Sequence, residues 1–123
     1  MIVRKLADLD DIERTVGGST WTSRRLLSQS DGLGISLQDT RISAGTETVG
    51  QYPNHLVAVY CISGEGVVID TETETEYPLK PGTVYALDQH EVHVVRATTD
   101  MHLVYSIQHR DEKYVGAAQA TAP

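Results

Sequence analysis

Tyr52 with His55, and Tyr85 with His93, are the residues of this chain best suited to moving protons. Imidazole and phenol groups act as general acids and bases when a substrate proton lies within hydrogen-bond reach. Arg25 offers a different chemistry, a guanidinium fork that pairs bidentately with an amino-acid carboxylate, although beside Arg24 it equally suits a solvated surface. The one cysteine, Cys61, cannot form an internal disulfide and lies in an apolar run. It is expected to be a small buried hydrophobe rather than a nucleophile.

Short strands are the elements that would hold these groups. Runs rich in Val, Ile, Thr and Tyr, separated by Gly, Pro, Asn and Asp, predict strands at 34–42, 56–62, 66–70, 76–79, 83–87, 93–97 and 101–108, which is an all-β sandwich or barrel. Side chains alternate faces along a strand, so His55, Val57, Val59 and Cys61 share one face and Ala58, Tyr60 and Ile62 the other. The same rule groups Gln38, Thr40 and Ile42, and also Leu103, Tyr105, Ile107 and His109, provided no bulge intervenes. Asp8–Thr15 is expected to form one short helix before the Gly17-Gly18-Ser19 breaker. The acidic tract Asp70–Glu76 has no apolar face and predicts a solvated hairpin end.

A chain of 123 residues suits one domain, expected over residues 1–115, with the small, uncharged stretch 116–123 as a flexible tail. A net charge of −7 argues against a nucleic-acid backbone or an anionic membrane surface as the main partner. No apolar run approaches the roughly 20 residues that span a bilayer, and the N-terminus lacks the apolar core of a secretory signal. A cytoplasmic location is expected.

Two motifs narrow the fold. The segment from Pro53 to Gly66, a strand running into the Gly64-Glu65-Gly66 turn, resembles the first motif of a cupin barrel, and Lys80-Pro81-Gly82 through His93 resembles the second. The strings Trp21–Leu27 (WTSRRLL), Ala44–Thr48 (AGTET), Asn54-His55-Leu56, Ala58–Ile62 and Tyr85–Asp88 are similar to the ectoine synthase family, from Met1 to about Val104. The resemblance implies a homodimeric cupin enzyme that attacks an acetamide carbonyl with the free α-amine of N-acetyl-2,4-diaminobutyrate. Loss of water then leaves a tetrahydropyrimidine, with an iron or similar divalent ion assisting as Lewis acid. It also implies that Tyr85 and His93 are metal ligands and that Trp21, Arg25, Thr40, Tyr52 and His55 line the substrate pocket; strand parity adds Gln38, beside Thr40, and Tyr105 as expected substrate-binding residues.

Three positions and the C-terminal segment depart from that pattern. The third ligand implied by the resemblance, a glutamate, falls at Val57, which leaves a weak or absent metal site filled only by Tyr85 and His93. Tyr105 and Ile107 stand where the family has a cysteine and an aromatic residue. Beyond Gln108 the family's glutamate and histidine two residues apart are absent, and His109 and Glu112 are the nearest residues of similar chemistry. These departures favour a cyclase or dehydratase, a lyase acting on an amino-acid-derived intermediate, with Tyr52, His55, Tyr85 and His93 as catalytic groups. The alternatives are ectoine synthesis itself and a binding cupin without catalysis.

Overall fold

The computed structural model describes residues 1–9, 14–52, 55–89 and 91–109. Ten strands follow one another along the chain: β1 (Thr15–Gly17), β2 (Trp21–Leu27), β3 (Ile35–Ile42), β4 (Glu47–Gly50), β5 (His55–Ser63), β6 (Gly66–Asp70), β7 (Thr75–Leu79), β8 (Val84–Leu87), β9 (His93–Ala97) and β10 (Met101–His109). They form a six-stranded sheet, order β1-β2-β3-β10-β5-β8, and a four-stranded sheet, order β4-β9-β6-β7. Every pairing is antiparallel.

The inner face follows from alternation. His55, Val57, Val59 and Cys61 on β5 are at most 2% exposed, whereas Ala58, Tyr60 and Ile62 between and beyond them face outward. Met101, Leu103, Tyr105 and Ile107 on β10 are buried in the same way, and β3 contributes Gln38, Thr40 and Ile42. Each fully buried aliphatic side chain of this set contributes roughly 1.5–3 kcal/mol relative to exposure. The bulge proviso matters at two places only. The β10–β5 register shifts between His102 and Leu103, and the β2–β3 register shifts between Arg25 and Leu27.

The Gly64-Glu65-Gly66 turn has a steric reason. Gly64 has φ +92°, and a Cβ at Gly64 or Gly66 would collide with the backbone oxygens of Asp100 and Arg96 respectively. Cys61 Sγ lies near the carbonyl oxygens of Ser63 (3.5 Å) and Gly64 (3.7 Å) of this turn, buried and away from solvent, as a structural cysteine should.

The middle of the short helix expected over Asp8–Thr15 falls on residues outside the described ones; at its flanks the structure has a 3₁₀ turn at Leu6–Asp8 and the first pair of the β1–β2 ladder, Thr15 with Arg24. Residues 10–13 of that stretch lie outside the described residues, as do the domain boundary at 115, the tail 116–123 and Glu112. The acidic tract closes the β6–β7 hairpin at 71–74, where Asp70 Oδ1 accepts the Glu72 amide at 3.0 Å. No helix among the described residues is long and apolar enough to cross a membrane.

Candidate active site

A single row of inward side chains crosses five strands of the larger sheet. Arg25 on β2 is opposite Gln38 on β3, Gln38 opposite Tyr105 on β10, Tyr105 opposite Val59 on β5, and Val59 opposite Tyr85 on β8. Adjacent strands lie about 4.8 Å apart, so such a row wraps the wall of a barrel with one functional group per strand. The register shift beside Arg25 marks where β2 bends, a place where bulges commonly re-aim a side chain.

The polar groups of this wall fall into two sets. Ser23 Oγ donates to Gln38 Oε1 at 3.1 Å and lies 3.0 Å from Thr40 Oγ1, so the β2–β3 end is internally hydrogen-bonded. Arg25 Nε, Tyr85 Oη and Tyr105 Oη are buried without a hydrogen-bond partner. Buried polar atoms in native proteins are nearly always paired, so these three point to a ligand that pairs them. Trp21, 8% exposed and opposite Ile42, closes the β2 side.

The smaller sheet faces this row with His93, opposite Gly50 on β4. Tyr52 follows β4 and bridges the two sheets: its ring lies 6.3 Å from His93, near-parallel, and 6.4 Å from Tyr105. Tyr85 is 5.9 Å from His93, ring to ring. A cavity of about 400 Å³ opens beside this pair, lined among others by Val68, Tyr77, Leu79 and Leu87. His55 is wholly buried, its amide reaching the Tyr52 carbonyl at 3.4 Å and its ring Nε2 lying 3.0 Å from His109 Nδ1.

Burial sets the protonation states. It holds the His93 imidazole below its ordinary value despite opposing contributions from Glu91 and the Gly50 backbone, so His93 is neutral near pH 7 and able to accept a proton. Burial pushes the Tyr105 phenol up to about 12 and holds the Tyr85 phenol well above its ordinary value. The two phenols perturb each other, but neither oxygen completes a hydrogen bond of acceptable geometry, so both remain proton donors. Burial lowers the Arg25 guanidinium as well, with the Tyr52 phenol opposing, and guanidinium remains charged in proteins.

The metal implied by the resemblance can be tested against the donors. Tyr85 and His93 are near one another, but Val57, 2% exposed, turns its methyl groups to the same wall, between Ile107 and Leu87. The described residues contain no group of three His, Cys, Asp or Glu placed to hold an ion. The Tyr85 phenol resists becoming the phenolate a metal would take. Among possible substitutes, Glu47 is exposed and paired with Arg96 at 3.0 Å, His55 contacts His109, and His90 lies outside the described residues. These residues do not fit a three-donor ion site.

The structure thus brings Arg25, Gln38, Thr40, Tyr52, His55, Tyr85, His93 and Tyr105 onto one inner surface, with Trp21 at its edge. Sequence reasoning missed Ser23, which organises Gln38 and Thr40, and Ser36, which bonds His109. Both lie on the inward parity of strands whose polar residues masked the alternation.

Known proteins share this arrangement. The L-ectoine synthase of Halalkalibacterium halodurans is 52% identical over 104 residues, covering 85% of this chain and 81% of that protein. The L-ectoine synthase of Desulfosudis oleivorans is 48% identical over 105 residues, covering 85% and 81%. The crystal structure of ectoine synthase from P. lautus superposes with a TM-score of 0.82 at 48% identity, covering 88% of this chain and 78% of that one. Residues 1–110 also match the family description "Ectoine synthase". With a cupin barrel, a family match over residues 1–110 and relatives at this level of identity, the chain belongs to the ectoine synthase family.

Proposed function

We propose that this protein closes an N-acylated diamino acid into a cyclic amidine, the cyclodehydration of its family, with N-acetyl-2,4-diaminobutyrate as the first substrate to test. The observation that carries this reading is the row of unpaired buried groups, Arg25 Nε, Tyr105 Oη and Tyr85 Oη, arranged around one lumen. A carboxylate at one end and an amide carbonyl at the other would satisfy all three. The functions named for the relatives favour ring closure of this kind over a wholly different chemistry.

In this mechanism Arg25 holds the carboxylate and so fixes the α-amine beside it. Neutral His93 takes a proton from the ammonium. The freed nitrogen attacks the amide carbon while Tyr85 and Tyr105 donate to the carbonyl oxygen, where negative charge develops. A carbon–nitrogen bond forms, a carbon–oxygen bond breaks, and two protons that began on the ammonium leave with the oxygen as water. The described residues do not complete an ion site, so no step is routed through a metal.

A second reading rests on one specific observation. Val57, Leu87 and Ile107 form an apolar patch, 2%, 6% and 0% exposed, where a carboxylate is expected from the family pattern. That patch suits an amino-acid-derived substrate whose own apolar group packs against it, handled by the same acid–base residues. The deciding experiment is incubation of purified protein with N-acetyl-2,4-diaminobutyrate, followed by NMR and mass detection of a product lighter by one water. Turnover supports ring closure of the family substrate. No turnover, with thermal stabilisation by longer N-acyl homologues, supports the second reading.

A further inference from the structure

At the end of the barrel beyond Val57, three side chains from three strands form a hydrogen-bonded chain. Ser36 Oγ on β3 bonds His109 Nε2 at the end of β10, and His109 Nδ1 lies 3.0 Å from His55 Nε2 on β5. The backbone holds this geometry: His109 is the register partner of His55, and the His109 amide donates to the Gly34 carbonyl at 2.9 Å. The imidazole rings meet edge to face with centroids 4.8 Å apart. His55 is wholly enclosed and Ser36 is 3% exposed, while His109 is only partly covered. The middle member therefore touches solvent and the inner member faces the lumen.

We propose that Ser36, His109 and His55 form a proton relay between the barrel lumen and solvent, with His109 as a positioning residue that acts through His55. A neutral imidazole has one N–H and one lone pair, so a chain of two rings and a hydroxyl is polarised in one direction or the other. A proton accepted at one nitrogen of His55 is matched by one released from its Nε2 to His109 Nδ1, and His109, the partly covered member, passes its own proton from Nε2 to solvent water, with Ser36 Oγ holding that nitrogen between transfers. The reverse passage returns a proton to the lumen, so no net charge accumulates. A buried imidazole could be satisfied more simply by a backbone carbonyl, which accepts but cannot relay. Burial, and then the Arg25 charge, hold the His109 imidazole below its ordinary value, which keeps a lone pair available in the chain.

The relay rests on the cyclodehydration reading only for which proton it carries, namely one from the α-ammonium that is later returned to the departing oxygen. Its hydrogen-bond geometry does not depend on that reading, so two measurements separate them. The first needs no substrate: ¹⁵N-edited NMR of the full chain labelled at histidine should show one downfield imidazole proton coupled to both His55 Nε2 and His109 Nδ1. That signal should vanish in His109→Ala, and Ser36→Ala should shift the His109 tautomer. Two histidines with independent tautomers and no shared proton would overturn the relay whatever the reaction proves to be.

The second uses turnover of N-acetyl-2,4-diaminobutyrate. His109→Ala should lower kcat at least about tenfold with KM within about twofold, and added free imidazole should restore most of the loss. A folded His109→Ala protein with unchanged kcat, or with a loss that imidazole does not restore while His109→Asn does, would make His109 a structural prop and overturn the relay. If wild-type protein does not turn over this substrate, the family-substrate reading fails and the NMR result alone decides the relay.

Discussion

The two ends of the inner row handle their polar groups in opposite ways. At the β2–β3 end Ser23 bonds both Gln38 and Thr40, and these three complete one another without a ligand. Toward β10 and β8, Tyr105 and Tyr85 carry hydroxyls that nothing described satisfies. The first set is framework, since a buried network completed internally fixes strand placement. The second leaves polar groups without a protein partner, a cost that a bound carbonyl would remove. Arg25 stands at the junction, with its backbone in the framework and its Nε in the unpaired set.

The largest test inverts the character of the wall beside the phenols. Val57→Glu buries a carboxylate without a partner and should cost about 3 kcal/mol or more of metal-free stability. Added divalent iron should recover much of the melting temperature, and the metal content should rise toward one ion per chain. Wild-type protein carrying one tightly held iron per chain would show that the donor argument is wrong. Next in size is Arg25→Ala, which should weaken a carboxylate ligand by about 2 kcal/mol, roughly thirtyfold, in calorimetric titration. Unchanged affinity would place the carboxylate elsewhere.

Smaller effects separate the two sets directly. Ser23→Ala leaves Gln38 and Thr40 each short of a buried partner and should cost about 1–2 kcal/mol of stability in urea unfolding. Tyr105→Phe removes a hydroxyl that has no partner to lose, so stability should stay within about 0.5 kcal/mol or rise while ligand affinity falls. Equal destabilisation by both substitutions would erase the distinction between framework and ligand-facing groups.

The smallest effect lies outside the lumen and serves as a reference. Arg4 and a backbone bond to Ser28 hold the Asp31 carboxyl below the usual carboxylate range. A depressed carboxylate contributes stability above its unfolded value, about 4, and loses it as pH falls further. Melting temperature should therefore decline below that pH, and Asp31→Asn should flatten part of the decline.

Much of this architecture is legible in the residues, for reasons that also explain what is hidden. On β10 the inward Met101, Leu103, Tyr105 and Ile107 alternate mostly with polar residues, so its face can be read directly, whereas β5 is apolar on both faces and its inward set follows from the motif that places Val57. On β2 the inward positions are Trp21, Ser23 and Arg25, and a strand whose buried face is polar breaks the pattern that marks strands. β1 is three residues long, and β4 is four residues ending in Gly50, too short for periodicity to register. Within the site, strand parity places His55 with Val57. No spacing along the chain reveals that His109, 54 positions later, hydrogen-bonds His55, because that contact exists only once β10 has paired with β5.

Among the described residues β10 is the last of ten strands, yet it sits between β3 and β5 in the larger sheet. During synthesis β1, β2 and β3 on one side, and β5 and β8 on the other, have no common ladder until it arrives. Two sheet edges stay open in the interval, and both could pair with other chains. The strand that completes the lumen therefore also decides when a nascent chain stops being at risk of aggregation, and substitutions at Leu103 would be felt in the yield of folded protein before they are felt in its activity.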